Sequence, residues 1–341
     1  MKKEPKVTQT TMARDLGLSQ ALVSKALNGV RERVDPETYE RIWTHALKLR
    51  YHGKGMTPHV ALAAAGGRQV GVVLRAGLQP FAQSNFFSHV QAGLHAALNA
   101  RGMSTVLLGS EETLNVAEAG PLPPAIIVLG EVKPAFVRQL HAVTRRLVVI
   151  NGHYPGLAHS VQPNEAQSCG LLVAHLAGLG HTRFGWLGGF PTNSRHAERL
   201  TAFRAALAER GLPPLAPDHC WVARHGGDRQ EGREGALAVL RGPRRPTALV
   251  CFNGVMARGA VNALLQSGWN IPADLSIAAI DATRVSVEEE PHITCASTVP
   301  EKLGESAAHL LLNSSGADDE SYQTLVLAAQ FHAGTTTGRA P

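Results

Sequence analysis

The chain has 341 residues, 44% of them hydrophobic and 18% charged, with a formal net charge of +6. This is a globular composition, long enough for a small domain plus a large one, and it excludes a disordered or disulfide-dependent chain. The charge is uneven: residues 1–60 hold eleven Lys/Arg against six Asp/Glu, whereas the other 281 residues hold 22 against 21.

A basic head on a neutral body suggests that the head meets a polyanion, although a merely soluble basic terminus has the same charge. Cys169, Cys220, Cys251 and Cys295 are far apart, with no CxxC pair. They read as reduced, mostly buried thiols. The opening MKKEPKVTQTTMARDLG has two lysines but no apolar run behind them, so it does not read as a signal peptide. No stretch approaches the ~20 apolar residues of a membrane span. A cytoplasmic protein is expected.

The head predicts three short helices. Thr8 can cap the first, and Met12, Ala13 and Leu16 mark its apolar face. Gly17 stops it, because glycine tolerates the left-handed conformation of a helix end. Only Leu18 separates that stop from the next cap, Ser19. Two helices joined by so tight a turn must cross steeply, which is helix-turn-helix geometry. In the second helix Leu22, Val23, Ala26 and Leu27 form a buried stripe, and Gln20, Ala21, Ser24, Lys25 and Asn28 share the opposite face. Such a face can enter a major groove: Gln pairs with adenine, Lys donates to guanine, and Ser and Asn suit phosphate contacts. It can equally be an ordinary solvated face. Asp35 caps a third helix, with Pro36 at its first position and Glu37 in its first turn. Tyr39, Ile42, Trp43, Ala46 and Leu49 are its core positions.

VTQTTMARDLGLSQALVSKALNG followed by VDPETYERIWTHALKLRY is similar to the headpiece of the lactose-repressor/galactose-repressor (LacI/GalR) family. The matching features are Val7-Thr8, Ala13, Gly17, Ser19, Val23-Ser24, Leu27 to Gly29, Val34 to Thr38 and Tyr51. The resemblance implies base reading by Gln20, Ala21 and Lys25, backbone contacts by Ser19, Ser24 and Asn28, and a DNA-binding set that includes Thr8. The loop Val30 to Arg33 is one residue longer than the common pattern. Residues 53–68 read as a hinge, where the family has an apolar wedge for the minor groove. Here Gly53, Gly55, Pro58 and Gly66-Gly67 interrupt it, so a flexible tether is the alternative. Met56 and Leu62 are the candidate wedges.

From residue 70, strand-length apolar runs recur: QVGVVLR, STVLLG, AIIVLG and RLVVIN, then RFGWLGG, HCWVARH, TALVCFN and LSIAAID. Amphipathic segments such as NFFSHVQAGLHAALNA, PAFVRQLHAVTR, NEAQSCGLLVAHLAGLG and VMARGAVNALLQSG separate many of them. Alternation of strand and helix predicts parallel sheets flanked by helices, in two similar lobes. Ligands of such sheets bind beyond the carboxyl ends of the strands. Asn85, Asn151, Arg199, Asn253 and Asp281 stand after strands and suit a hydroxyl-rich ligand; each can also be a helix cap, Asn253 above all.

The family resemblance continues through the body. It implies effector contact for Arg199, Asn253 and Asp281, a corresponding place for Asn151, and an NPFF-like segment at Asn85, Phe86 and Phe87. The usual Asn-Asp and Asp-Asp pairs are Asn253-Gly254 and Asp281-Ala282 here. Gly227 stands where an aromatic residue is common, with Trp221 or His225 as possible substitutes.

The expected fold is an all-α helix-turn-helix headpiece plus an α/β two-lobed, periplasmic-binding-protein-like effector domain. The expected domains are a headpiece (1–52), a hinge (53–68) and a body (69–341). Within the body the first lobe covers 69–163 plus 297–325, and the second covers 164–296 plus 326–341. No Walker A, GxSxG, HExxH or GxGxxG motif occurs, so no enzyme, cofactor or metal is expected. His175 and His181, around a helix end, read as capping or surface groups. The expected function is a sequence-specific transcription regulator, a repressor by default. The expected partners are a pseudo-palindromic DNA operator, a sugar-like effector and a second copy of the chain in a homodimer. The alternative is a sugar-binding sensor whose head has no DNA function.

Overall fold

The computed structural model describes residues 8–27, 34–35, 38–39, 41–42, 45–46, 69–77, 85–189, 194–242, 244–313 and 321–341, with the backbone only at Asn85 and Ser194. The expectations for Asn28, the 30–33 loop, Pro36, Glu37, Trp43, Leu49 and the 53–68 hinge with Met56 and Leu62 lie outside the described residues.

The head opens with α1 (Gln9–Leu16) and α2 (Gln20–Leu27). Thr8 caps α1: its hydroxyl accepts from the Thr11 N–H, and the Thr11 hydroxyl accepts from the Thr8 N–H. Two of the four orphan donors of a helix start are thereby satisfied. Gly17 ends α1 at φ 68°, and its N–H returns to the carbonyls of Ala13 and Arg14. Ser19 caps α2 through the Leu22 N–H at 3.2 Å. Asp35 caps the third helical segment through the Thr38 N–H at 2.9 Å. Met12, Ala13, Val23, Ala26, Leu27, Val34, Tyr39, Ile42 and Ala46 form one buried cluster. Burying each large aliphatic side chain contributes about 1.5–3 kcal/mol.

The body holds two six-stranded sheets. The first runs in the order β11 (Thr324–Leu327), β5 (His159–Pro163), β4 (Arg146–Ile150), β3 (Ala125–Leu129), β1 (Gln69–Leu74), β2 (Ser104–Ser110). The second runs β12 (Gln330–His332), β10 (Thr294–Ser297), β9 (Ser276–Ala279), β8 (Ala248–Cys251), β6 (Phe184–Gly188), β7 (Cys220–Val222). Every residue of β3, β6, β8 and β9 is buried. Burial without alternation is what a sheet covered on both faces requires, and it explains the continuous apolar runs. β2 and β7, at the edges, are only partly covered.

The helices of the body are α3 (Asn85–Asn99), α4 (Pro134–Val143), α5 (Glu165–Gly178), α6 (Ser194–Glu209), α7 (Arg229–Val239), α8 (Gly254–Gln266), α9 (Arg284–Val287) and α10 (Pro300–Asn313). Gly93 of α3 must be glycine, since a Cβ there meets the Glu301 carbonyl of α10 at 2.0 Å. No helix of the described residues is long and apolar enough to cross a membrane.

Two expectations are corrected. The second sheet is not wholly parallel: β12 pairs antiparallel with β10, Cys295 opposite His332 and Ser297 opposite Gln330. An antiparallel strand at the edge of a parallel sheet is a common arrangement. His181 is buried, not superficial: its ring stands 2.9 Å from the Thr247 hydroxyl and 3.0 Å from both the Ser276 hydroxyl and the Gly338 carbonyl. Burial lowers its pKa, so the neutral ring ties the final residues to the sheet.

The described chain divides into two compact units: residues 1–80, 95–160 and 307–323, and residues 81–94, 161–306 and 324–341.

Candidate effector site and candidate DNA-facing helix

On α2, Gln20, Ala21 and Lys25 are exposed, Ser24 is half-buried, and Val23, Ala26 and Leu27 face the core. Helical periodicity therefore keeps the predicted reading face in solvent while the opposite stripe anchors it. Thr8 and Ser19 are exposed and occupied as caps.

In the second unit, the carboxyl ends of β6, β8 and β9 gather charge and amides. Arg199, on α6, is buried at 6% exposure. Its Nε donates to Glu165 Oε2 at 2.8 Å and its Nη1 to the Phe252 carbonyl at 2.6 Å. The guanidinium lies 4.7 Å from the centre of the Phe252 ring. Arg195, one turn earlier on α6, donates to the other oxygen of Glu165 at 2.6 Å. Glu165 is itself buried, as the first residue of α5. Burial alone raises a carboxyl pKa, but Arg199 and Arg195 outweigh it and hold Glu165 below its usual value. Reciprocally, burial lowers the pKa of Arg199, and the Glu165 carboxylate more than reverses that.

Asn253 follows β8 and caps α8, its Oδ1 accepting from the Met256 N–H at 2.7 Å. Its Nδ2 donates to the Gly227 carbonyl at 3.0 Å. The helix cap and the sequence-predicted site position thus fall on the same residue. Asp281 follows β9 and is buried; one oxygen accepts from the Gly254 N–H at 3.4 Å, and Oδ1 has no hydrogen-bond partner among the described residues. Burial raises its pKa, against the opposing pull of Arg199, the Gly254 N–H and Thr283.

The chain Arg199–Phe252–Asn253–Gly254–Asp281 is therefore continuous, so three of the sequence-predicted residues come together in one unit. In the first unit Asn151, after β4, is buried with φ 65°, and its Oδ1 also lacks a partner among the described residues. Asparagine is among the few non-glycine residues that adopt this left-handed conformation readily. Phe87 is buried on α3 and meets Phe86 edge to face at 5.3 Å. Asn85 opens α3.

Sequence reasoning missed Glu165, Arg195 and Glu231. Glu165 had a local signal as a carboxylate in the first turn of a helix, which is ordinarily a surface feature. Gly227 is left-handed at φ 86°, and a Cβ there meets Met256 Sδ at 2.8 Å. Of the proposed aromatic substitutes, Trp221 packs against the core beside Gly235, and His225 is exposed.

Residues 173–337 match the periplasmic binding protein-like domain family. The chain is 27% identical over 347 residues to the maltose regulon regulatory protein MalI of Escherichia coli, covering 96% of this chain and 97% of that one. Over almost its whole length the chain is therefore similar to transcriptional regulators of the LacI/GalR kind. The ribose operon repressor of Haemophilus influenzae is 26% identical, covering 94% of this chain and 95% of that one. A LacI transcriptional regulator from a Rhodococcus species has a structure similar to 80% of this chain and 99% of its own, with a TM-score of 0.67 and 26% identity. The lac repressor dimer bound to operator shares the fold over 98% of this chain and 100% of its own, at a TM-score of 0.68 and 20% identity.

Proposed function

We propose that the chain is a sequence-specific DNA-binding repressor whose affinity for its operator is set by a neutral, hydroxyl-rich effector. It is a regulator and not an enzyme, as its full-length relatives are by name. The observation that carries the effector class is Asp281 Oδ1, which has no hydrogen-bond partner among the described residues, beside a cation already paired. A buried acceptor without a donor costs about 1–3 kcal/mol, which a ligand hydroxyl recovers. The Arg195–Arg199–Glu165 cluster together with Asp281 sums to zero charge, so an anion gains little there. The maltose and ribose systems named for two relatives support a sugar.

The effector-facing residues of this reading are Arg199, Asn253 and Asp281; Asn85, Phe87 and Asn151 are assigned by the resemblance. Thr8, Ser19, Gln20, Ala21, Ser24, Lys25 and Asn28 form the DNA-facing set. The division into headpiece 1–52, hinge 53–68 and two-lobed body 69–341 belongs to the same reading, as do a cytoplasmic location and a homodimer. Two-fold symmetry of the protein then asks for a pseudo-palindromic operator with regularly spaced half-sites.

The test is binding of the full-length protein to DNA from its own upstream region, against random competitor at about 0.15 M salt, where non-specific phosphate contacts are weak. A specific complex that maltose or ribose shifts supports the reading; no complex with or without sugar overturns its DNA part. Lys25→Ala is expected to cost about 1–3 kcal/mol of specific affinity and to relax preference at one base position. An unchanged preference across an operator library removes Lys25 from base reading.

A further inference from the structure

We propose that Glu231 is the positioning residue that fixes the Asn253 amide at the effector site. This rests on the effector reading above. The Glu231 carboxylate is buried, and its Oε1 accepts from the N–H groups of Arg224 and His225, the latter at 2.8 Å. Its Oε2 accepts from the Gly227 N–H at 2.8 Å. Its own backbone N–H is held by the Asp228 cap at 2.8 Å. One carboxylate therefore gathers three backbone donors of the segment 224–227, where Gly226 and Gly227 take the left-handed conformations that permit so tight a wrap (φ 116° and 86°). Those donors keep Glu231 below the usual carboxylate range although burial pushes the other way.

The consequence lies at the far end of Gly227. With its N–H fixed by Glu231, its carbonyl is aimed at Asn253 Nδ2. Asn253 Oδ1 is already taken by the Met256 N–H. Both ends of the amide are then determined, and a single Nδ2–H is left to offer a ligand. The amide cannot flip without breaking two bonds. A ligand that meets Asn253 must present an acceptor there, and a donor to Asp281 Oδ1. A hydroxyl can be either, and adjacent hydroxyls can be both.

The test is amide hydrogen exchange on the full-length protein without any ligand, comparing wild type with Glu231→Gln. The Gln variant keeps the shape and one acceptor but sets an NH2 group against a backbone N–H. Exchange is expected to accelerate about tenfold or more both in peptides covering 222–230 and in those covering 253–257, with the first sheet unchanged. Acceleration confined to 222–230 overturns the proposal, since Glu231 then orders only its own loop. If the variant does not fold, wild type answers the same question. A shared opening rate for 224–228 and 253–257 supports the coupling, and two unrelated rates refute it. Because no effector is used, a failure of the effector reading leaves a different signature: intact coupling in a protein that no sugar affects.

Discussion

Glu165→Gln is expected to lower the unfolding free energy by about 3–5 kcal/mol at neutral pH, the cost of breaking a buried ion pair by removing one partner. The variant keeps the side-chain shape, so the loss is electrostatic. Arg199 is 7% exposed at its side chain and Arg195 16%, and both lose their shared counter-ion. Gln also turns one acceptor into a donor that faces an arginine. The pH dependence has a fixed sign. The folded-state pKa of Glu165 lies below its unfolded value, so its contribution is fully present above the usual carboxylate range. It is lost as pH falls through the folded pKa. Wild type and variant should therefore differ most at pH 6–8 and converge in acid. Urea unfolding followed at several pH values measures this. A difference under about 1 kcal/mol at neutral pH places Glu165 among solvated surface pairs and contradicts its observed burial.

The same carboxylate explains which parts of this molecule were legible in the sequence. Strands such as AIIVL and ALVC could be read because burial on both faces leaves an unbroken apolar run. Thr8, Gly17, Ser19, Asp35 and Asn253 could be read because caps act on their immediate neighbours, within three or four residues. β5 (HSVQP) and β10 (TCAS) were missed, being short and mixed in polarity, with burial imposed by partners far along the chain. Glu165 and Arg199 are separated by 34 residues, and no local pattern links them. Glu231 stands only four residues from Gly227, yet its role depends on a loop wrapping back over it, which two glycines merely permit. His181 read as a helix-end residue because its partners, Thr247, Ser276 and Gly338, lie 66 to 157 residues away. The backbone periodicities and caps are local physics; buried polar networks are tertiary, and composition does not announce them.

Arg199→Ala is expected to abolish the effector response while leaving specific DNA binding within about twofold of wild type, because α1 and α2 have their own core. Two losses add. The Phe252 carbonyl loses its donor and the Phe252 ring loses its cation. Asp281 loses the charge that opposes the effect of burial, so its pKa rises further and its carboxyl is more often protonated. A protonated Asp281 presents a donor where the effector reading needs an acceptor. Glu165 retains Arg195, so the fold survives better than in Glu165→Gln. Arg199→Lys is expected to fail as well: a single ammonium cannot hold Glu165 Oε2 and the Phe252 carbonyl at once while lying flat on the ring. The measurement is operator affinity with and without the sugar found to shift the wild-type complex, alongside direct titration of that sugar. A variant that keeps both its sugar affinity and its operator response shows that Arg199 only supports the fold. One that binds sugar normally but no longer responds on DNA places Arg199 in the coupling between sites, since linkage requires a ligand to bind two states differently before it can shift them.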